Sequence, residues 1–290
     1  MKILSVTLFN NPTEQGGIES FVRTLKKFYP QNLSFITFNL KKDIKAKKIM
    51  VQHFNFDKFI SYTLKMQELK KDLCYYVVLS PYDKERFEKG FNIPKEKIKV
   101  IRHTCNIDII QGKKKKNKRL IMIARIDNQQ KRFDLAIRAM KKLSEFTLDI
   151  YGSIYNEKDM EFLQQIIQKE KIKNVFLKGG TNKVQEKLDE SGIFIMTSDY
   201  EGYGITNIEA MRRGLPLIVR NTFEAAQDIV IDNGILLEKE WDEAKFVEAV
   251  RKVYDNYEYY SENSKKLGKR HNFEIIKKEW DKLLMENDKK

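Results

Sequence analysis

The sequence predicts an α/β chain of two doubly wound domains, each a parallel sheet with helices on both faces. Three observations lead there. Short continuous apolar runs, such as Ile193–Met196, recur through the second half. Segments with apolar residues at helical spacing alternate with them. Runs that are continuous, without polar alternation, mark strands buried on both sides, as in a parallel sheet. A lysine-rich run, Lys113–Lys118, divides the chain and reads as a solvated linker.

In the second half, Leu120–Ala124 (LIMIA) is the first strand. Phe133, Ile137, Met140 and Leu143 then share a helix face, and Leu148–Tyr151 is a strand. Met160, Leu163, Ile166 and Ile167 repeat the helical spacing. Val175–Leu177, Ile193–Met196, Leu215–Val219 and Leu236–Leu237 are strands. The helices between and after them cover Val184–Leu188, about Ile205–Arg213, and a segment from about Asp242. The first half is thinner, with strands at Ile3–Leu8, Leu33–Phe38, Ile49–Gln52, Tyr76–Leu79 and Lys99–Ile101 and a helix at Ser20–Phe28. Ile275, Ile276, Trp280, Leu283 and Leu284 place a docking helix in the tail. The expected domains are 1–112 and 119–270, joined by 113–118, with a helix at about 273–288 packing back on the first.

Composition narrows the function classes. With 290 residues, 41% hydrophobic and 11% aromatic, the chain can bury a core. Charged residues are 33% and the mean hydropathy is −0.56, and no apolar run approaches the ~20 residues of a membrane span. Two cysteines, Cys74 and Cys105, make no disulfide framework, so a reducing cytoplasm is expected. MKILSVTLFNN reads as a first strand and not as a signal peptide. The formal charge of +14, mostly lysine, has two readings: an anionic partner, or the codon usage of an AT-rich genome. Nucleic acid is disfavoured, because no recognition-helix or RNP-type signature accompanies the charge.

Ligands of open α/β sheets bind at the carboxyl ends of strands, so the chemistry belongs in strand-to-helix loops. Three stand out. Asn10–Glu19 carries Gly16 and Gly17, which let backbone N–H groups approach an anion. Ala124–Lys131 carries Arg125 and Lys131, cations suited to phosphate oxygens. Ser198–Glu209 carries GYGITN at a helix start, with Glu201 in the loop and Glu209 eight residues on. Spacing alone does not separate the last pair from a helix-dipole charge and a surface carboxylate. There is no Asp-x-Asp, no Cys/His metal spacing and no P-loop.

Taken in order, GGIE, ARIDNQQKRFDLAIRAM, YGS, FLKGG, SDYEGYGITNIEAMRRGLPLIV and NGILL resemble the family 4 retaining glycosyltransferases of GT-B fold. The most specific segment is EGYGITNIEAMRRGLP, which matches that family's E-x7-E motif. The resemblance implies two facing Rossmann-like domains, the N-terminal one shortened, and a UDP-sugar donor used without cofactor or metal. It implies Glu201 near the donor sugar, Glu209 on the nucleotide ribose, and Arg125 and Lys131 on the diphosphate. It further implies donor contacts from Gly16, Gly17, Tyr203, Gly204, Ile205 and Thr206, and a catalytic role for His53 at the transferred sugar. His103 is read as structural. The sequence departs from the family in placing Arg125 and Lys131 six residues apart where five is more usual, and in having Ala124 before the arginine.

The expected function is transfer of a hexose to a cell-surface glycan, lipid-linked or teichoic-acid-type acceptor. The expected place is the cytoplasm, with peripheral contact at an anionic membrane face. The alternative is a non-catalytic homologue acting as a partner subunit or glycan-binding module.

Overall fold

The computed structural model describes residues 3–7, 27–29, 33–37, 49–53 and 73–285. The chain divides into two units: residues 1–105 with 271–290, and residues 106–270.

In unit 1, β1 (Ile3–Thr7) pairs in parallel with β2 (Leu33–Thr37). A second parallel sheet has the order β3 (Ile49–Val51), β4 (Tyr75–Val78), β5 (Ile98–Val100). Side chains along β4 alternate between two cores, as the two-residue period of a strand requires. Tyr76 and Val78 pack with Phe87 and Ile93. Val77 packs with Phe28 and Ile101 against Ile276, Trp280 and Leu283. Those last three lie on the C-terminal helix Phe273–Met285, which therefore belongs to unit 1. Helix α1 (Pro81–Phe91) starts where Ser80 accepts from the Asp83 N–H at 3.1 Å, with Pro81 at its first position. Its sequence is polar apart from a few aromatics, so periodicity gave no sign of it. Most of the expected helix Ser20–Phe28 lies outside the described residues.

Unit 2 is one six-stranded parallel sheet. Its strands are β6 (Arg119–Ile123), β7 (Thr147–Tyr151), β8 (Val175–Gly179), β9 (Ile193–Met196), β10 (Leu217–Arg220) and β11 (Gly234–Leu237), in the order β11-β10-β9-β6-β7-β8. Leu120, Met122, Leu148, Ile150, Ile193 and Ile218 point into one core with Phe133, Ile137, Phe246 and Val250. The intervening Ile121, Phe194, Leu217 and Val219 are buried as well, so both faces are covered. The helices are α2 (Asn128–Lys131), α3 (Phe133–Ala139), α4 (Glu157–Lys169), α5 (Val184–Glu190), α6 (Ile205–Arg212), α7 (Ala226–Ile229), α8 (Glu243–Asp255) and α9 (Tyr257–Gly268). Sequence periodicity missed α9 for a physical reason: its buried face is Tyr257, Ser261, Ser264 and Gly268, small or polar rather than apolar. Ser261 and Ser264 donate to the carbonyls of Gly214 and Leu215, both at 2.7 Å. Among the described residues no helix is long and apolar enough to cross a membrane.

The expected linker is corrected. Residues 113–118 lie inside unit 2, and the chain passes between units at Cys105–Asn106 and Arg270–His271. Lys114 is buried, and its ammonium donates to the carbonyls of Leu188 and Asp189 at 2.7 and 2.6 Å. It thus satisfies the orphan carbonyls at the end of α5, at the negative end of the helix dipole. Burial pushes its pKa down to about 8.

Close approach at a glycine locks β6 to β7. A Cβ on Gly152 would sit 1.9 Å from the Ala124 carbonyl oxygen. The adjoining segments run on in parallel past the strands, with Ile126 bridged to Ile154. Gly152→Ala must push these chain segments apart, and we expect a loss of roughly 1–3 kcal/mol of stability. Urea denaturation of the variant against the parent checks it; an unchanged midpoint would show that the two loops separate freely.

Candidate functional site

The strand order of unit 2 reverses between β9 and β6. The chain runs outward from β6 to β8, returns to β9 on the other side of β6, and runs outward again to β11. The carboxyl ends of strands at such a reversal are where open α/β sheets take ligands. The loops there are the two that stood out in this half of the sequence, after β6 and after β9.

The loop after β6 is shaped by Asp127. Its carboxylate accepts from the Gln130 N–H at 3.2 Å and starts the single turn α2. Arg132 ends the turn in the left-handed conformation, with φ of 51°. Lys131 emerges with its Nζ 2.7 Å from Glu201 Oε1. Arg125 remains half exposed, over the ring of Tyr155 at 4.7 Å. Its Nη2 donates to Gln130 Oε1 at 2.8 Å and to Asp127 Oδ2 at 3.3 Å.

The loop after β9 is sewn to the first. Thr197 Oγ1 donates to the carbonyls of Lys131 and Arg132 at 2.9 and 2.8 Å. The Asp199 N–H donates to the Gln130 carbonyl at 2.8 Å, and Gln130 Nε2 donates to the Tyr200 carbonyl at 3.0 Å. Asp199 lies between two arginines, 3.1 Å from Arg132 and 2.6 Å from Arg220. Glu201 is 7% exposed, and Ser198 Oγ donates to the same Oε1 that Lys131 reaches, at 2.7 Å. Tyr203 is buried beneath the loop.

Gly204 precedes α6 with φ of 75°, and a Cβ there would come within 2.5 Å of Asn207 Nδ2. Asn207 occupies the last position of the GYGITN pattern; it is fully buried, and its amide turns to Met196 Sδ at 3.2 Å. Among the described residues no side chain caps α6, which leaves the N–H groups of Ile205 and Thr206 to an anion. Glu209 follows one turn along. Among the described residues its carboxylate has no hydrogen bond or ion pair, and burial pushes its pKa up to about 7. The arrangement can hold a polyanion against Arg125, Lys131 and the start of α6, with Glu201 beside it and Glu209 able to receive hydroxyl groups. No three His, Cys, Asp or Glu side chains gather as metal ligands among the described residues.

His53 follows β3 in unit 1. Its ring stacks on His103 with centroids 5.3 Å apart and planes 19° from parallel. Burial, then the neighbouring His103, holds the His53 pKa well below the ordinary imidazole value, so the ring is neutral near pH 7. Burial lowers the His103 pKa to about 4. Gly16 and Gly17 lie outside the described residues. The sequence reading missed Gln130, Asp199 and Arg220, which hold the loops; the contacts that join the two loops link residues far apart in the chain, so no local pattern marks them.

The Glu209 carboxyl makes stability depend on pH. Its folded pKa lies above its unfolded value, so the cost of ionising it in the fold is absent below about 4.5 and complete above about 7. Glu209→Gln removes that cost. We expect the variant to match the parent at pH 4 and to gain on the order of 2 kcal/mol at pH 8. Thermal melts at the two pH values measure this, and equal shifts at both would remove the burial argument.

Comparison with known proteins bears on the same region. The family model for glycosyl transferases group 1 matches residues 106–271, more than half of the chain. A poly(glycerol-phosphate) alpha-glucosyltransferase of Bacillus subtilis (strain 168) is 28% identical over 201 residues, 67% of this chain and 27% of that protein. A poly(ribitol-phosphate) alpha-N-acetylglucosaminyltransferase of Staphylococcus aureus (strain COL) is 35% identical over 114 residues, 37% of this chain and 23% of that one. The chain thus spans about a quarter of the length of these two relatives. Among solved structures, Anabaena Alr3699/HepE in complex with UDP superposes with a TM-score of 0.82 at 14% identity, covering 98% of this chain and 99% of that one. A mutant of S. aureus TarM in complex with Fondaparinux, alpha-GlcNAc-glycerol and UDP gives 0.74 at 22% identity, covering 88% and 56%. The chain has the GT-B α/β fold and belongs to the glycosyl transferases group 1 family.

Proposed function

We propose that this chain is a retaining glycosyltransferase that moves a hexose from a UDP-sugar to a glycan, lipid-linked or teichoic-acid-type acceptor. The observation that carries the reading is the meeting of Lys131 and Glu201 at the sheet's reversal point, beside the uncapped start of α6. In this reading Arg125, Lys131 and the N–H groups at Gly204–Thr206 take the donor diphosphate. Negative charge grows on the diphosphate as it leaves, and fixed cations and helix N–H groups stabilise such charge without a metal. Glu201 faces the sugar, whose anomeric carbon turns oxocarbenium-like, and a carboxylate stabilises that positive charge. As the diphosphate draws Lys131, Glu201 is left with Ser198 as its neutral partner. Glu209 accepts from the ribose hydroxyls, and Tyr203 shapes the loop from below. His53 serves the transferred sugar as a neutral imidazole, and Gly16 and Gly17 complete the donor loop.

The acceptor proposal rests on the relatives named for poly(glycerol-phosphate) and poly(ribitol-phosphate) and on the charge of +14, which suits a phosphate-bearing chain or an anionic membrane face. One observation favours a second reading: a solved GtfA/B complex, of TM-score 0.71 to this chain, is a two-protein assembly by name. A partner-subunit role without catalysis predicts no binding of UDP-sugars in calorimetry.

Nucleotide release from purified protein, screened over UDP- and GDP-sugars with polyol-phosphate acceptors, tests the main reading. Glu201→Gln removes the charge and keeps the shape. We expect transfer to fall by roughly a hundredfold or more with an unchanged circular dichroism spectrum. Wild-type transfer by that variant would take the catalytic role away from Glu201.

A further inference from the structure

We propose that Gln130 is a positioning residue for Arg125, aiming its guanidinium at the donor diphosphate; this rests on the donor-site reading above. Gln130 is 7% exposed and uses all four of its polar groups between the two loops. Its N–H goes to Asp127 and its carbonyl receives the Asp199 N–H. Its side-chain oxygen receives Arg125 Nη2 at 2.8 Å, and its side-chain nitrogen donates to the Tyr200 carbonyl at 3.0 Å. The amide orientation is forced, because a guanidinium offers only donors and a carbonyl only accepts.

Arg125 needs such a holder. Its side chain is 47% exposed, and a long exposed side chain samples many rotamers unless it is tied. Gln130, Asp127 and the Tyr155 ring tie one edge of the guanidinium. Nε and Nη1 have no partner among the described residues, which leaves their N–H groups to donate to phosphate oxygens. The Tyr200 carbonyl is the residue before Glu201, so the same amide sets the arginine against the loop that carries the carboxylate. The neutral amide makes the shorter of the two contacts to Nη2, 2.8 Å against 3.3 Å for the Asp127 carboxylate, and adds no further negative charge beside Arg125.

The test is calorimetric titration of the full chain with UDP and with UMP. Arg125 at the diphosphate predicts an effect confined to the longer ligand. We expect Gln130→Ala to weaken UDP about tenfold and to leave UMP within about twofold. We expect no further loss when Gln130→Ala is added to Arg125→Ala, since a residue acting through another shows full coupling in a double-mutant cycle. Thermal melts of each variant separate a local effect from unfolding. Equal weakening of UDP and UMP, a full tenfold loss in the Arg125→Ala background, or parental UDP binding by Gln130→Ala each overturns the inference while the donor-site reading stands. A parent chain that binds neither UDP nor GDP overturns both.

Discussion

The site is organised around one contact, Lys131 Nζ to Glu201 Oε1 across the point where the strand order reverses. Both side chains are close to fully buried, at 13% and 9% exposure. A buried ion pair pays for its attraction with the hydration of both charges, so it adds little stability compared with apolar residues of the same size. In the proposed reading its presence at the carboxyl end of a sheet serves reactivity: a carboxylate and an ammonium are held close where a donor diphosphate would compete for the ammonium.

Holding that contact takes support from outside the pair. Thr197, Gln130 and Asp199 bind the β6 loop to the β9 loop through backbone groups as well as side chains. Arg220, at the end of β10, adds a third loop by reaching Asp199, the Thr197 carbonyl and the Lys239 carbonyl. Gly152 lets the β7 loop lie against Ala124, and Tyr155 in that loop meets Arg125. The four loops are therefore not independent arms. Backbone carbonyls that would otherwise be orphaned at the sheet's edge are the acceptors of this network, so satisfying them and fixing the site are the same act.

What was legible in the sequence follows from this division. Strands such as Ile193–Met196 announce themselves because both faces are apolar, and their boundaries shift by only a residue or two, as in Leu215–Val219 becoming Leu217–Arg220. Helix α9 was silent because serines and a glycine make its inner face. Residues 113–118 looked solvated because a lysine that caps a helix from inside has the same letter as one in water. Glu201 and Glu209 were singled out through motif order, since an eight-residue spacing carries no chemistry by itself. Their environments, one in an ion pair and one without a partner among the described residues, belong to tertiary packing alone.

The two carboxyl groups then differ by more than position. Glu201 has an ammonium and a hydroxyl at hydrogen-bond distance, from Lys131 and Ser198. Glu209 has burial and nothing to offset it, which favours its neutral form up to about pH 7. A partly buried carboxyl shielded from water and without partners among the described residues costs free energy, which hydroxyl donors would relieve. The two groups thus differ in surroundings: one meets an ammonium and a hydroxyl, and the other has no partner among the described residues. A carboxyl without partners among the described residues, one turn past the start of α6, is the feature that the proposed ribose contact would explain and that a helix merely following a strand would not need.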